Sequence, residues 1–149
     1  MVRYFGSLVA ISLLTGVSGF ADDGADRDKL LGSWVETGNG AASTWTFAKS
    51  GDSFQIKELQ GSSTEAGYSC KADGAQCEIK VGGKKATVSM WFNGPKLVQM
   101  ETQGSSVVKR RFAVLSSGDT MELEIIPLSP GGKTETIQFK RATLSAQGK

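Results

Sequence analysis

The chain has 149 residues, with 17 lysines and arginines, 15 aspartates and glutamates, and no histidine. The absence of histidine removes the imidazole base of catalytic triads and the most frequent zinc ligand, so we expect no enzyme, no catalytic residue, no metal and no cofactor. The near balance of charge argues against nucleic acid or an anionic membrane as a partner.

The first 21 residues predict a secretory signal peptide. Arg3 gives a positive start, an apolar run follows at residues 8–14, and small residues lead to Ala21. The apolar run is too short to span a membrane. Cleavage after Ala21, with Gly19 as the alternative, leaves about 128 residues, which suits one domain. We therefore expect an exported protein, either periplasmic or secreted.

The residues after this signal predict an all-β fold. An acidic segment at residues 22–29 is expected to be flexible, a β-barrel domain to cover residues 30–142, and a tail to follow at 143–149. The domain shows short alternating runs between glycines, and the candidate strands are 33–37, 43–48, 53–59, 66–71, 76–81, 85–92, 96–103, 107–115, 120–126 and 134–141. Such spacing predicts an antiparallel up-and-down meander of eight to ten strands, closed as a barrel or flattened as a sandwich.

The two cysteines flank a strong turn signal. With Asp73-Gly74 as a two-residue turn, or residues 72–75 as a four-residue loop, Cys70 lies opposite Cys77. An oxidising compartment favours a disulfide between them, within one hairpin.

Other turns predict which side chains share the inward face. The expected cross-strand pairs are Ile79 with Ala86 after a Gly82-Gly83 turn, Val98 with Met90 and Met100 with Val88 after a three-residue loop 93–95, and Phe112 with Leu123 after a four-residue loop 116–119. These registers place apolar side chains on one common face, as a closed sheet requires.

The same register points Arg110 toward the interior, opposite Ile125. Either this arginine reaches the barrel end or an internal ion pair, with Glu135 as a partner, or it recognises an anion inside a ligand cavity. Large aromatic side chains are expected inward as well, as core or as cavity lining: Trp45, Phe47, Phe54, Phe92, Phe112 and Phe139. The candidate ligand-binding residues are Arg110 and the five phenylalanines of that set.

Gly32-Ser33-Trp34, followed by the strand series and by Arg141 in the last strand, resembles the calycin superfamily. Lipocalins and fatty-acid-binding proteins share a Gly-x-Trp at their first strand, and the chain is most similar to small exported lipocalin-like domains of bacteria. The resemblance implies barrel closure by Gly32, Trp34 and Arg141, with the guanidinium over the indole and the glycine allowing close passage of the backbone. The sequence departs from fatty-acid-binding proteins in having no helical lid after the first strand.

The resemblance implies a lipocalin-like, non-enzymatic module that binds a small apolar or fatty-acid-like ligand inside the barrel. The alternative is an envelope protein-interaction or protease-inhibitor module, in which the barrel core is filled and the acidic N-terminal segment enters a protein partner.

Overall fold

The computed structural model describes residues 23–38, 40 and 42–143, so the predicted signal peptide lies outside the described residues, as do residues 144–149 of the predicted tail. Within these ranges there are one short helix and ten strands: α1 Asp23–Asp28, β1 Gly32–Glu36, β2 Ser43–Ser50, β3 Ser53–Gln60, β4 Ser63–Lys71, β5 Asp73–Val81, β6 Lys84–Asn93, β7 Lys96–Gln103, β8 Ser106–Val114, β9 Thr120–Pro127 and β10 Glu135–Arg141. Each strand pairs with the next along the chain, and β1 pairs with β10. The predicted antiparallel meander is confirmed as a closed barrel of ten strands.

Strand β2 shows why these residues form a barrel wall. Its sequence alternates, with Ser43, Trp45 and Phe47 buried and the two threonines between them half-buried. Successive side chains of a strand point to opposite faces, and β-branched and aromatic residues fit a pleated, half-buried surface. The apolar face therefore turns inward and forms the core.

Two predicted registers are confirmed. Ile79 lies opposite Ala86 across the Gly82-Gly83 turn. Phe112 lies opposite Leu123, and the same pairing places Arg110 opposite Ile125. Because directly opposite residues share a face, Arg110 points into the barrel as predicted.

The predicted register of β7 is wrong by one residue. Asn93 pairs with Lys96, so the turn holds two residues instead of three. Gly94 has a φ of +59°, and proline fixes φ near −65° at residue 95. That combination suits the type II′ turn that connects antiparallel strands, in which glycine takes the first central position.

This shift exchanges the two faces of β7. Gln99 lies opposite Met90 and Glu101 lies opposite Val88, so both polar side chains point inward. Val98 faces outward instead and is buried opposite Trp91. The outer face thus shields an apolar valine, while the interior gains two polar groups.

The barrel is sealed at one end around Trp34, which is fully buried and lies opposite Arg141 in the pairing of β1 with β10. The guanidinium carbon of Arg141 is 4.2 Å from the centre of the indole ring. Its Nη1 donates to the carbonyl of Leu31 at 2.8 Å, and Trp34 Nε1 donates to the carbonyl of Leu30 at 2.8 Å. Gly32 has a φ of +117°, and a Cβ there would lie 3.0 Å from Nη1 of Arg141, so a side chain would disturb this arrangement.

Helix α1 covers the same end of the barrel. It occupies part of the segment 22–29 for which the sequence predicts a flexible leader. Arg27 Nε donates to the carbonyl of Gly94 at 3.2 Å, and its guanidinium lies 5.0 Å from the ring centre of Phe92. In the described part of the chain no helix has the length and apolar character needed to cross a membrane.

The wall of the barrel is weakest between β4 and β5. Ala66 and Val81 form the one paired position found there among the described residues. Further along both strands the predicted disulfide joins Cys70 to Cys77, with the two Cα atoms 6.1 Å apart. Between the Ala66–Val81 pair and the disulfide, the two strands lack the continuous backbone pairing that joins the other neighbouring strands.

Because backbone pairing is sparse there, we expect the disulfide to carry much of the local stability. The double variant Cys70→Ala/Cys77→Ala should lose roughly 2.5 kcal/mol of unfolding free energy, from the chain entropy that closing so short a loop removes from the unfolded state. Urea unfolding followed by circular dichroism measures the loss. Reduction of the parent should reproduce it, and a double variant as stable as the oxidised parent would contradict the assignment.

Candidate ligand-binding site

Burial of the inward side chains falls from the sealed end toward the opposite end. Along β10, Phe139 is fully buried, Ile137 is half-buried and Glu135 is exposed. Along β8, Phe112 is fully buried, whereas the side chain of Arg110 is 14% exposed. The barrel is therefore filled at the α1 end and opens at the end that carries Glu135.

Aromatic rings form the floor of this open end. The ring centre of Phe112 lies 5.0 Å from that of Trp45 and 5.1 Å from that of Phe47, both in edge-on arrangements. Phe139 is fully buried in the same core. Edge-to-face packing at these distances stabilises a core beyond simple burial of area. Three of the predicted ligand-binding phenylalanines thus belong to the packed floor.

The other two predicted phenylalanines lie toward α1. The ring centres of Phe54 and Phe92 are 5.4 Å apart, with Arg27 over Phe92 and Lys49 Nζ 5.9 Å from the centre of Phe54. These rings close the α1 end, so the structure does not bring them together with Arg110.

An interior polar cluster lies above the aromatic floor. We use this name for five inward side chains, which are Glu58, Tyr68, Gln99, Glu101 and Arg110. The guanidinium of Arg110 lies 5.9 Å from the ring centre of Trp45, which is the aromatic ring of the floor that contacts the cluster. Glu58 is directly opposite Trp45 on the neighbouring strand, so its side chain points into the barrel beside the indole ring.

Arg110 forms an ion pair inside the barrel, and its partner is Glu101. Nη1 of Arg110 donates to Oε2 of Glu101 at 2.8 Å, and the two side chains are 14% and 13% exposed. The predicted partner Glu135 is wrong, because that residue is exposed at the rim of the barrel. The register of β7 explains the difference, since Glu101 points inward only with the two-residue turn.

Gln99 connects the ion pair to the far wall of the barrel. Its side chain is fully buried; Oε1 accepts from Nη1 of Arg110 at 3.4 Å, and Nε2 donates to the hydroxyl of Tyr68 on β4. Burial raises the pKa of the Tyr68 phenol, so this side chain stays neutral at physiological pH. The network therefore spans the interior from β8 to β4.

Glu58 adds a second carboxyl to the cluster. Burial raises its pKa; the positive charge of Arg110 opposes this rise, and the negative charges of Glu101 and Glu65 add to it. A buried carboxyl that lacks a full counter-charge favours its protonated form. The folded state thus carries a cost when Glu58 is ionised.

We expect Glu58→Gln to raise the melting temperature at pH 7, because glutamine keeps the shape and removes the buried charge. A raised folded pKa means that Glu58 favours folding below its ordinary pKa of 4.5 and loses that contribution as pH rises through the folded pKa. The gain should therefore disappear toward pH 4. Melting curves from pH 4 to 8 measure it, with Glu78→Gln on the exposed outer face as the control. A gain that does not change with pH would contradict this account.

A cleft of about 700 Å³ lies over the weak stretch of wall between β4 and β5. Its lining includes the inward positions Tyr68, Ile79 and Ala86 together with the outer-face residues Lys80 and Lys85. Tyr68 belongs to both the cleft and the interior polar cluster. Most of its other lining residues, such as Ser69, Glu78 and Thr102, face outward, so the cleft is an opening in the outer surface that meets the cluster at Tyr68. Its size is that expected of a small-molecule site.

Sequence reasoning identified one member of the interior polar cluster, Arg110. Two others had a readable signal, since Tyr68 is two residues from the inward Cys70, and Glu58 is two residues from the inward Ile56. Gln99 and Glu101 depend on the β7 register, which was predicted one residue off.

This arrangement suits binding of a ligand with a long apolar part and one polar group. The polar group would meet the cluster, and the apolar part would contact aliphatic and aromatic side chains around it. In the described ranges no group of three or more cysteine, aspartate or glutamate side chains is placed to hold a metal ion.

Comparison with known proteins gives structural likeness without sequence likeness. No family model matches the chain, and no curated protein matches it. Among solved structures, a fatty acid binding protein of Schistosoma mansoni in complex with arachidonic acid aligns with a TM-score of 0.67 and 18% identity, over 79% of this chain and 99% of that one. A secretory abundant heat soluble protein of Ramazzottius varieornatus aligns with a TM-score of 0.66 and 13% identity, over 76% and 96%.

A third structure extends the comparison to nematodes. The apo lipid binding protein 8 of Caenorhabditis elegans aligns with a TM-score of 0.64 and 7% identity, over 77% of this chain and 96% of that one. Identities at this level establish the fold alone. This chain has the same fold as these solved structures, an antiparallel meander closed into a barrel of ten strands.

Proposed function

We propose that this protein is an exported, non-enzymatic module that binds one small, mainly apolar ligand in the open half of the barrel. The ligand has an extended hydrocarbon part, as a fatty acid has, and its polar end meets the interior polar cluster around Arg110. The packed rings of Phe47, Phe112 and Phe139 support the floor of the site, while Phe54 and Phe92 support its closed end.

The observation that carries the proposal is the cleft of about 700 Å³ that reaches Tyr68 of the cluster. A barrel that served only as a scaffold gains little from five polar side chains in its interior, because buried polar groups are costly unless fully paired. Fold neighbours described as fatty acid and lipid binding proteins support the same class of ligand.

A protein-binding role through the acidic N-terminal segment has less support. Arg27 of α1 contacts Gly94 and Phe92, so this part of the segment packs on the barrel and is not extended for insertion into a partner. We therefore base the proposal on the interior.

A fluorescence titration tests the proposed function. The uncharged apolar probe N-phenyl-1-naphthylamine should bind to the parent at one saturable site, with a dissociation constant in the micromolar range that apolar burial of this size supports. If the parent gives no saturable signal, the proposal is wrong.

Two neighbouring valines of β8 locate the site. Val108 lies opposite Glu101 and points inward, whereas Val107 lies opposite Thr102 and points outward. Both are half-buried, so they form a matched pair. Val108→Trp should weaken probe binding at least tenfold by filling the open half, and Val107→Trp should leave it within about twofold. Equal effects of the two variants would place the probe outside the barrel.

Export has a separate test. Expressed with its complete sequence in a bacterial host, the protein should be recovered outside the cytoplasm with Asp22 as its first residue, as cleavage after Ala21 requires. Mass spectrometry of the purified protein gives the first residue. Recovery with residues 1–21 still attached would contradict export by this signal.

A further inference from the structure

The charges of the barrel interior do not favour an anionic ligand. The interior polar cluster holds one cation, Arg110, and two carboxyl groups, Glu58 and Glu101. Glu135 adds a third carboxyl on the inward face at the rim. A ligand carboxylate that entered the open half would approach this excess of acidic groups.

The charge of Arg110 is also already neutralised. Its 2.8 Å contact with Glu101 is an ion pair between two largely buried side chains. A ligand carboxylate could take the place of Glu101 only by leaving that side chain as a buried carboxylate without its cation, which is costly. Burial raises the pKa of Glu58, the negative charge of Glu101 adds to that rise, and a further carboxylate in the cluster would meet the same two costs.

An uncharged polar group meets no such obstacle. Both hydrogen bonds of Arg110 within the cluster use Nη1, which leaves Nε and Nη2 as donors. The carboxyl oxygens of Glu58 and Glu101 are acceptors. A hydroxyl group can accept from the guanidinium and donate to a carboxyl at once, so it fits the cluster without breaking the ion pair.

We propose that the interior polar cluster selects a ligand whose polar end is an uncharged hydroxyl group and discriminates against the matching free carboxylic acid. This inference rests on the proposed function and specifies its ligand class. The residue that sets the preference is Glu101, because it neutralises Arg110, the cation of the cluster.

The test compares two competitors with the same hydrocarbon chain, oleyl alcohol and oleate. Each displaces N-phenyl-1-naphthylamine from the parent at pH 7.5, below the concentration at which the competitor aggregates. We expect oleyl alcohol to bind at least tenfold more tightly than oleate. Equal or tighter binding of oleate would overturn the inference while leaving the proposed function intact, whereas absence of probe binding would overturn the function itself.

The variant Glu101→Gln removes one carboxylate from the cluster and provides the decisive arm. It frees Arg110 from its counter-charge while keeping a side chain of the same shape, so oleate should gain at least tenfold in affinity and oleyl alcohol should change little. If the oleate affinity does not rise in a variant that melts cooperatively, Glu101 does not set the preference and the inference is wrong.

The outer face of the barrel supplies the matched control. Arg111 Nη1 donates to Glu124 Oε2 at 3.0 Å, an Arg–Glu pair one residue away from Arg110 but facing solvent. Glu124→Gln breaks that pair in the same chemical manner. It should leave the affinities for both competitors within about twofold of the parent, and a gain in oleate binding as large as that of Glu101→Gln would show that net charge alone is responsible.

Discussion

Replacement of Arg110 by methionine is expected to lower the free energy of unfolding at pH 7 by about 3–5 kcal/mol, the range for removing one partner of a buried ion pair. Methionine retains the length and apolar character of the side chain, so the loss would come from leaving Glu101 inside the barrel without its cation. Urea unfolding followed by circular dichroism gives the value.

Two further variants separate the ion pair from simple packing. Arg110→Met/Glu101→Met removes both charges and should recover most of the loss, because paired burial of two apolar groups is tolerated far better than one lone charge. Arg111→Met breaks the exposed outer pair with Glu124 and should cost less than about 1 kcal/mol. A double variant no more stable than Arg110→Met would show that Glu101 is not the group left uncompensated.

Replacement of Trp34 by alanine should cost about 3–5 kcal/mol, as large-to-small changes of buried aromatic residues do. The indole is fully buried, carries the guanidinium of Arg141 and donates to the carbonyl of Leu30. Its removal leaves a cavity at the sealed end, an acceptor without its donor and an arginine without its aromatic surface. The same urea experiment measures the loss.

Two control variants, one conservative and one at an outward-facing tryptophan, test the explanation of this loss. Trp34→Phe keeps a ring beneath Arg141 and loses chiefly the bond to Leu30, so about 1–3 kcal/mol is expected. Trp91→Ala removes a half-buried tryptophan from the outer face and should cost less than Trp34→Ala. If the two alanine variants were equally unstable, the sealed end would have no special weight in the fold.

Most of the fold could be predicted from local sequence signals. The alternation of apolar and polar residues, together with the turn residues, located all ten strands. In a half-buried strand every second side chain faces the core, so the apolar residues recur with a period of two. The predicted disulfide between Cys70 and Cys77 is confirmed, but the turn predicted at Asp73-Gly74 is wrong, because both residues lie in β5 and Asp73 pairs with Trp91. Gly32, Trp34 and Arg141 were singled out by resemblance, and the structure brings them together at the sealed end.

The interior polar cluster could not be predicted in full because the sequence of β7 favours the other face. Val98 and Met100 are more apolar than Gln99 and Glu101, so the pattern points the valine and methionine inward. The chain resolves the conflict otherwise: the Gly94-Pro95 turn fixes a different register, and Trp91 covers Val98 outside. A turn longer or shorter by one residue turns every following side chain to the other face.

The sparse pairing between β4 and β5 could not be predicted for a different reason. The sequence predicted a hairpin there, and the observed pair Ala66–Val81 has the register that the disulfide requires. The strands are held together at the Ala66–Val81 pair and at the disulfide. Their separation between these two points depends on packing around the whole barrel, and no local signal in residues 66–81 indicates it.

The pairing of β1 with β10 has a consequence for how copies of this protein behave toward one another. It is the one ladder in the described barrel that joins strands distant in sequence, and it occupies the last edges of the sheet. A strand edge without a partner is a template for pairing with another chain. Loss of β10, the seven residues Glu135–Arg141, would therefore uncover two edges at once, on β1 and β9. By closing the circle, the final strand keeps each molecule from polymerising edge to edge with its neighbours.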